Sequence, residues 1–409
     1  MNLENDHPGS HPTPDIPTQG QEFQTGNVLT VSLGHTLNDV YTSFLPPLLP
    51  SLITKLALSN TQAGLLAFMQ SAPSLLQPLI GHLADRASLR YFVILLPAVA
   101  ATAMSLLGVA PHYAVVALLV IIAGLSSAGF HASAPAMAGR LSGWRLGRGL
   151  GFWTVGGYLG YAIGPILVTS TVNLLTLRGT PWLAIGGWLG SAIVFLRLRG
   201  VELQPTPSEA GNSWRHGLQG LRPILIPVVG LTLSRAMAFS ATLTFLPIML
   251  TSQGIGLWLA GISLSVLQLA SAAGALIAGS ASDRLGRRVI IFVCTLLAPL
   301  LILALIYLQG WLKLPTLIGL GLTMPATYVI LMALIQESCP DNRALATGVL
   351  LSVTFVSESV GAVVLGALAD LFGLGSAFLV SALVLLAGLP LVALLPRQRP
   401  TPLQASTSA

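Results

Sequence analysis

Residues 279–288 read GSASDRLGRR, and residues 81–90 read GHLADRASLR. Each stretch follows an apolar run and carries Gly, then an acid and a base at the same offsets. A second pair of landmarks is FLPPLLP from Phe44 and FLPIML from Phe245, and a third is Arg148 and Arg343, each opening an apolar run. All three pairs are separated by about 200 residues and keep the same order, which reads as one plan used twice.

What lies between the landmarks fixes the class. The 409 residues are 54% hydrophobic and only 8% charged, with mean hydropathy +0.81, outside the balance of soluble domains. Apolar runs recur at 26–53, 61–83, 90–110, 113–138, 148–172, 180–198, 222–251, 257–281, 288–309, 312–336, 343–369 and 374–395. Each is long enough to cross about 30 Å of hydrocarbon as a helix. The runs are apolar all round rather than alternating, so a membrane barrel is the weaker reading. The expected fold is an all-α integral membrane protein of twelve transmembrane helices in two six-helix, pseudo-symmetric bundles.

The expected division follows: a cytosolic disordered tail at 1–25, bundles at 26–199 and 222–396, a cytosolic linker at 200–221, and a second cytosolic tail at 397–409. The first tail lacks Lys and Arg and has no apolar core, unlike a signal peptide. With both termini inside, only Lys55, Arg178 and Lys313 of the 19 Lys and Arg fall outside, and Arg235 lies within a span. That bias satisfies the positive-inside rule and accounts for the net charge of +6 without nucleic acid. The two cysteines, Cys294 and Cys339, suggest neither a disulfide nor a metal site, and no cofactor is expected.

Polar residues are scarce enough inside the spans that each needs a reason. In SLGHTLNDVYTSFLPPLLP (32–50), His35 and Asp39 share a helical face, with Asn38 beside them. A charged Asp in mid-membrane costs roughly 2.5–3.5 kcal/mol, so it needs a partner, a proton or water. The bland alternative is a packing device bonded to a neighbouring backbone. Arg235 keeps its charge and must face an anion, either substrate or a protein carboxylate such as Asp39. Glu358 can carry a proton or merely bond the neighbouring serines. His131 can relay protons or serve as a packing donor. Proton coupling is therefore assigned to Asp39, Glu358, His35 and His131, with Asp39 preferred. Substrate contact is assigned to Arg235, Asn38, Asp39, His131, Tyr328 and Gln70, although Gln70, Gln77, Gln268 and Tyr328 fit cavity and packing roles equally.

GHLADRASLR and GSASDRLGRR resemble the cytosolic loop motif of the major facilitator superfamily, with Ser88 where the first copy would normally have Gly. The stretches GHTLNDVYTSFLPPLLP, LLQPLIGHLADR, GFHASAPAMAGR and VGGYLGYAIGP resemble its fosmidomycin-resistance group of efflux proteins. The resemblance implies alternating access, a latch at Gly81, Asp85, Arg86, Arg148, Gly279, Asp283, Arg284 and Arg288, and an antiporter-like fifth span built on Gly156, Gly157, Gly160, Gly164 and Pro165. The group's Phe-His-Pro-Glu reads Phe130-His131-Ala132-Ser133 here. Either Asp39 or Glu358 takes over the role of the missing acid, or its absence marks a different cargo.

The expected function is proton-coupled export of small organic molecules or drugs, with import of an organic anion by symport as the rival and a membrane enzyme as a remote one. Expected partners are the substrate, protons and the lipid bilayer of a cell inner membrane, with the protein a monomer. No nucleotide-binding GxxxxGK[ST] loop is present.

Overall fold

The computed structural model describes residues 22–77, 79–80, 89–201, 214–338 and 343–396. Its helices in chain order are α1 (Thr25–Thr42), α2 (Leu45–Leu56), α3 (Asn60–Ser71), α4 (Leu89–Ser105), α5 (Tyr113–Leu141), α6 (Leu146–Leu175) and α7 (Leu183–Leu198). There follow α8 (Trp214–Ser240), α9 (Leu246–Ser252), α10 (Leu257–Leu285), α11 (Arg287–Tyr307), α12 (Lys313–Ser338), α13 (Arg343–Phe372), α14 (Leu374–Ala387) and α15 (Leu389–Val392). Among the described residues, 10 helical segments are long and apolar enough to cross a membrane. The broken span α1–α2 and the span begun by α3 complete twelve, six in each bundle.

The break in the first span was not expected, and its cause is local. Pro46 and Pro47 open α2 and supply no N–H to the preceding turn, so the helix stops at Thr42 and restarts at Leu45. The matching stretch around Phe245 breaks as well, through a π turn at Ala241–Phe245 ahead of Pro247. The helix α8 begins at Trp214, inside the expected linker, because hydropathy marks the edge of the hydrocarbon rather than the end of backbone bonding.

These broken spans meet. One large core joins the bundles through α2 and α9, with Phe44, Leu48, Leu49, Phe245, Leu246 and Leu250 at its centre. At the opposite, arginine-rich ends the packing separates into two cores. One holds Val28, Val31, Phe130 and Met137 from the first bundle, and the other holds Ile224, Leu231, Ile330 and Leu334 from the second. Among the described residues, the bundles therefore share a core at one membrane face and pack as two separate cores at the arginine-rich face. Long contacts run between α3 and α13 and between α6 and α10. Glycines permit the approach: a Cβ on Gly64 would strike the Ala362 carbonyl, and one on Gly366 would strike that of Asn60. Large apolar side chains left exposed, such as Leu189, Leu196, Leu276 and Leu300, face outward as a lipid-contacting surface must.

Candidate functional site

A cavity of about 420 Å³ lies between the bundles, lined from the first by Gln70, Ser127, His131, Tyr158 and Tyr161, and from the second by Arg235, Gln268, Tyr328 and Glu358. This is the size of a small-molecule site. Two polar groups stand at it, one in its wall and one largely behind, and they do not pair as the sequence suggested.

On α8, Arg235 is 4% exposed, and its Nη1 donates to Oε1 of Glu358 on α13 at 2.9 Å. The proposed bridge from Arg235 to Asp39 is not formed, because Asp39 is claimed elsewhere. The guanidinium also lies over Phe239 at 5.2 Å and Tyr328 at 5.7 Å, a second way of holding a desolvated cation. Its Nε has no hydrogen-bond partner among the described residues. Ser240 donates to the Glu358 carbonyl at 2.9 Å, tying α8 to α13 beside the pair. Glu358 therefore bonds a cation rather than its neighbouring serines, and both members of the pair line the cavity.

The second group is behind the wall. Asp39 is 2% exposed; its Oδ2 lies 3.1 Å from His35 Nε2, and its Oδ1 lies 3.7 Å from His131 Nε2. Asn38 is fully buried and donates to Asp39 Oδ1 at 2.9 Å, so it faces the acid rather than the cavity. Only His131 of this cluster lines the cavity. The cluster is held by α6: Trp153 stacks on the His35 ring at 4.0 Å, and a methyl group on Gly157 would come within 3.0 Å of Asp39 Oδ2. The glycines of α6 thus have a concrete purpose, since Gly156, Gly157, Gly160 and Gly164 all abut α1 between Ser32 and Ser43. Gln70 lines the cavity and donates to the Thr42 carbonyl at 2.6 Å, satisfying an acceptor freed where α1 ends.

The expected latch divides into what is described and what is not. Gly81, Asp85 and Arg86 lie outside the described residues. Arg148 is exposed, with its guanidinium over Phe23 at 5.2 Å and Phe152 at 5.6 Å. Asp283 pairs with Arg287 at 3.3 Å, and Arg287 also pairs with Glu337 on α12, so this part of the motif is tied within its own bundle. Gly279 has open space beside it, Arg284 is exposed and Arg288 is half-buried.

A tie at the joined face escaped the sequence reading. Asp370, near the end of α13, accepts from the backbone N–H groups of Asn60 and Thr61, each at 2.8 Å. It also accepts from the Asn60 side-chain amide at 2.9 Å and the Thr61 hydroxyl at 2.6 Å. One carboxylate of the second bundle thus caps the first turn of α3 in the first, where a helix welcomes negative charge. Nothing in LGALADLF marks Asp370 as more than a span-end acid. Trp153, Tyr158 and Tyr161 were also passed over, because the glycines around them attracted a packing explanation.

The sequence matches the Major Facilitator Superfamily over residues 31–342 and again over 269–409. It is 24% identical over 349 residues to the fosmidomycin resistance protein of Escherichia coli K12, covering 83% of this chain and 85% of that one. It is 25% identical over 363 residues to an uncharacterized MFS-type transporter of Bacillus subtilis 168, covering 85% and 87%. Its fold is similar to the crystal structure of a bacterial homologue of the human lysosomal transporter Spinster, in an inward-facing and occupied conformation. The TM-score is 0.80 at 15% identity, covering 93% of this chain and 99% of that one. With two bundles joined at one membrane face around a central cavity, the chain belongs to the Major Facilitator Superfamily of membrane transporters and is not an enzyme.

Proposed function

We propose that the chain is a secondary transporter that exports small organic molecules in exchange for protons by alternating access, working as a monomer with both termini in the cytoplasm of a bacterial inner membrane. The observation that carries the reading is the Arg235–Glu358 pair in the cavity wall. Bundles at 26–199 and 222–396 rock about this site. The arginine-rich face is the cytoplasmic one by the positive-inside rule, which makes the conformation described here open to the cytoplasm.

The pair can couple proton and cargo because Glu358 has three competing partners: Arg235, a proton and a donor group on the substrate. A cationic or hydrogen-bond-donating group that takes the ionised Glu358 is expelled when the carboxylate is protonated, and mutual exclusion of proton and cargo is the condition for antiport. Tyr158, Tyr161 and Tyr328 supply flat apolar surface for the rest of the molecule. The resistance named for the Escherichia coli relative is in keeping with export.

A symporter of organic anions is the second reading, favoured by the unpartnered Nε of Arg235. An anion binding there displaces Glu358, which then takes up a proton on one side and releases it with the cargo on the other. The two readings differ in sign. Purified protein in liposomes loaded with a pH-sensitive dye, challenged with fosmidomycin and a panel of amphiphilic amines and organic anions, moves protons against the cargo in antiport and with it in symport. Cargo movement without any proton movement across the whole panel rejects both.

A further inference from the structure

The His35–Asp39–His131 cluster holds more than the transport reading uses. His35 Nδ1 lies 2.7 Å from the Trp153 carbonyl, and His131 Nδ1 lies 2.9 Å from the Ser127 carbonyl. A carbonyl oxygen can only accept, so both Nδ1 atoms carry hydrogen and, in the neutral rings, both Nε2 atoms present lone pairs. Those two lone pairs face each other at 3.2 Å, with Asp39 Oδ2 3.1 Å from the first and Oδ1 3.7 Å from the second. Three acceptor groups face one another, and although Asn38 donates to Asp39 Oδ1, the two Nε2 lone pairs and Oδ2 are left to repel unless something positive lies among them.

We propose that His35, Asp39 and His131 form a binding site for a divalent transition-metal cation of the zinc, cobalt or nickel kind. The dimensions are suitable: bonds of about 2.0–2.1 Å to a tetrahedral metal place its ligands about 3.3 Å apart; His35 Nε2 lies 3.2 Å from His131 Nε2 and 3.1 Å from Asp39 Oδ2, and one ligand atom from each of the three residues lies within 4.8 Å of the others. The donor set is imidazole and carboxylate, which selects these cations over calcium or magnesium. Each imidazole is oriented by a backbone carbonyl through its remote nitrogen, the outer-shell arrangement that fixes tautomer and direction at metal sites. Asn38 holds the carboxylate through Oδ1, and Trp153 backs the His35 ring. His131, whose side chain is 25% exposed, opens the site to the cavity, leaving the fourth position to water or to a cargo group. All three ligands sit on α1 and α5 of one bundle, so an ion here occupies the wall without riveting the two bundles together. The proposal stands apart from the Arg235–Glu358 pair, and its test needs no transport.

The test is a titration of the chelator-stripped, full-length protein with Co2+ alone. One saturating equivalent giving the visible bands of four-coordinate cobalt is expected, undisturbed by excess Mg2+ or Ca2+. X-ray absorption of the Zn2+ form should show only nitrogen and oxygen ligands at about 2.0–2.1 Å. Loss of an outer-shell partner alone typically weakens a site 10–100-fold, so His131→Ala and Asp39→Ala should each lower affinity by about a hundredfold or more. The tail variant His7→Ala/His11→Ala should keep the signal. Because the wild-type spectra need no variant, misfolding cannot imitate the result. Absence of saturable binding would leave the cluster with a shared proton and overturn the proposal. Binding that survives both cluster substitutions, or that vanishes with the tail histidines, would overturn it equally.

Discussion

Arg235 is where single side chains decide most. A buried guanidinium needs partners, and among the described residues Glu358, Phe239 and Tyr328 answer this one. Removing one partner of such a pair costs about 3–5 kcal/mol, because the other is left buried and uncompensated. Glu358→Ala should therefore melt at clearly lower temperature than Glu358→Gln, whose amide oxygen still accepts from Arg235, when both are followed by thermal unfolding in detergent. Equal melting temperatures would mean that the pair is not felt by the fold. The sequence made Arg235 and Glu358 legible as isolated charges among apolar residues, yet it did not reveal that they meet. Position 235 on α8 and position 358 on α13 come together only through packing, whereas His35 and Asp39 announce themselves by sharing one helical turn. His131 joins them from α5 for the same reason that Glu358 joins Arg235, and no spacing rule reaches that far along the chain.

At the scale of elements, the tie between α3 and α13 sets how firmly the joined face stays joined. Asp370 accepts four hydrogen bonds there, but it is exposed to water, so their sum is about 1–2 kcal/mol rather than the full value of charged bonds. Asp370→Ala should raise the fraction open at this face by roughly tenfold. Spin labels at Ala57 and Ser252, in a background lacking Cys294 and Cys339, would report the added long-distance population, and an unchanged distribution would deny Asp370 any gating role. Helix spans were readable almost everywhere because hydropathy is strong in lipid. The two breaks near Phe44 and Phe245 were visible as a repeated FLP but not understood as breaks, since proline near the middle of a long apolar run has several outcomes. The glycines of α6 were seen as a packing face, and only the fold shows that α1 with His35 and Asp39 is what they admit.

For the molecule as a whole, one shared core at the joined face and two separate cores at the arginine-rich face fit one half of the proposed cycle. The proposed alternating access requires the converse arrangement to lie within a few kcal/mol and assigns to Glu358 the biasing of that balance as it gains or loses a proton. Glu358 is bonded to Arg235 on α8 and shares the cavity with Tyr328 on α12 and with Tyr158 and Tyr161 on α6, so a charge change at Glu358 falls in a space lined by both bundles. The central claim is tested most directly by electron–electron distance measurements in lipid nanodiscs on two label pairs, Gly151 with Leu285 at the arginine-rich face and Ala57 with Ser252 at the other, from acid to alkaline pH. The account predicts that one pair lengthens as the other shortens, and that Glu358→Gln removes the response to pH. Distances that stay fixed in both pairs at every pH, or a full response that survives Glu358→Gln, would contradict it.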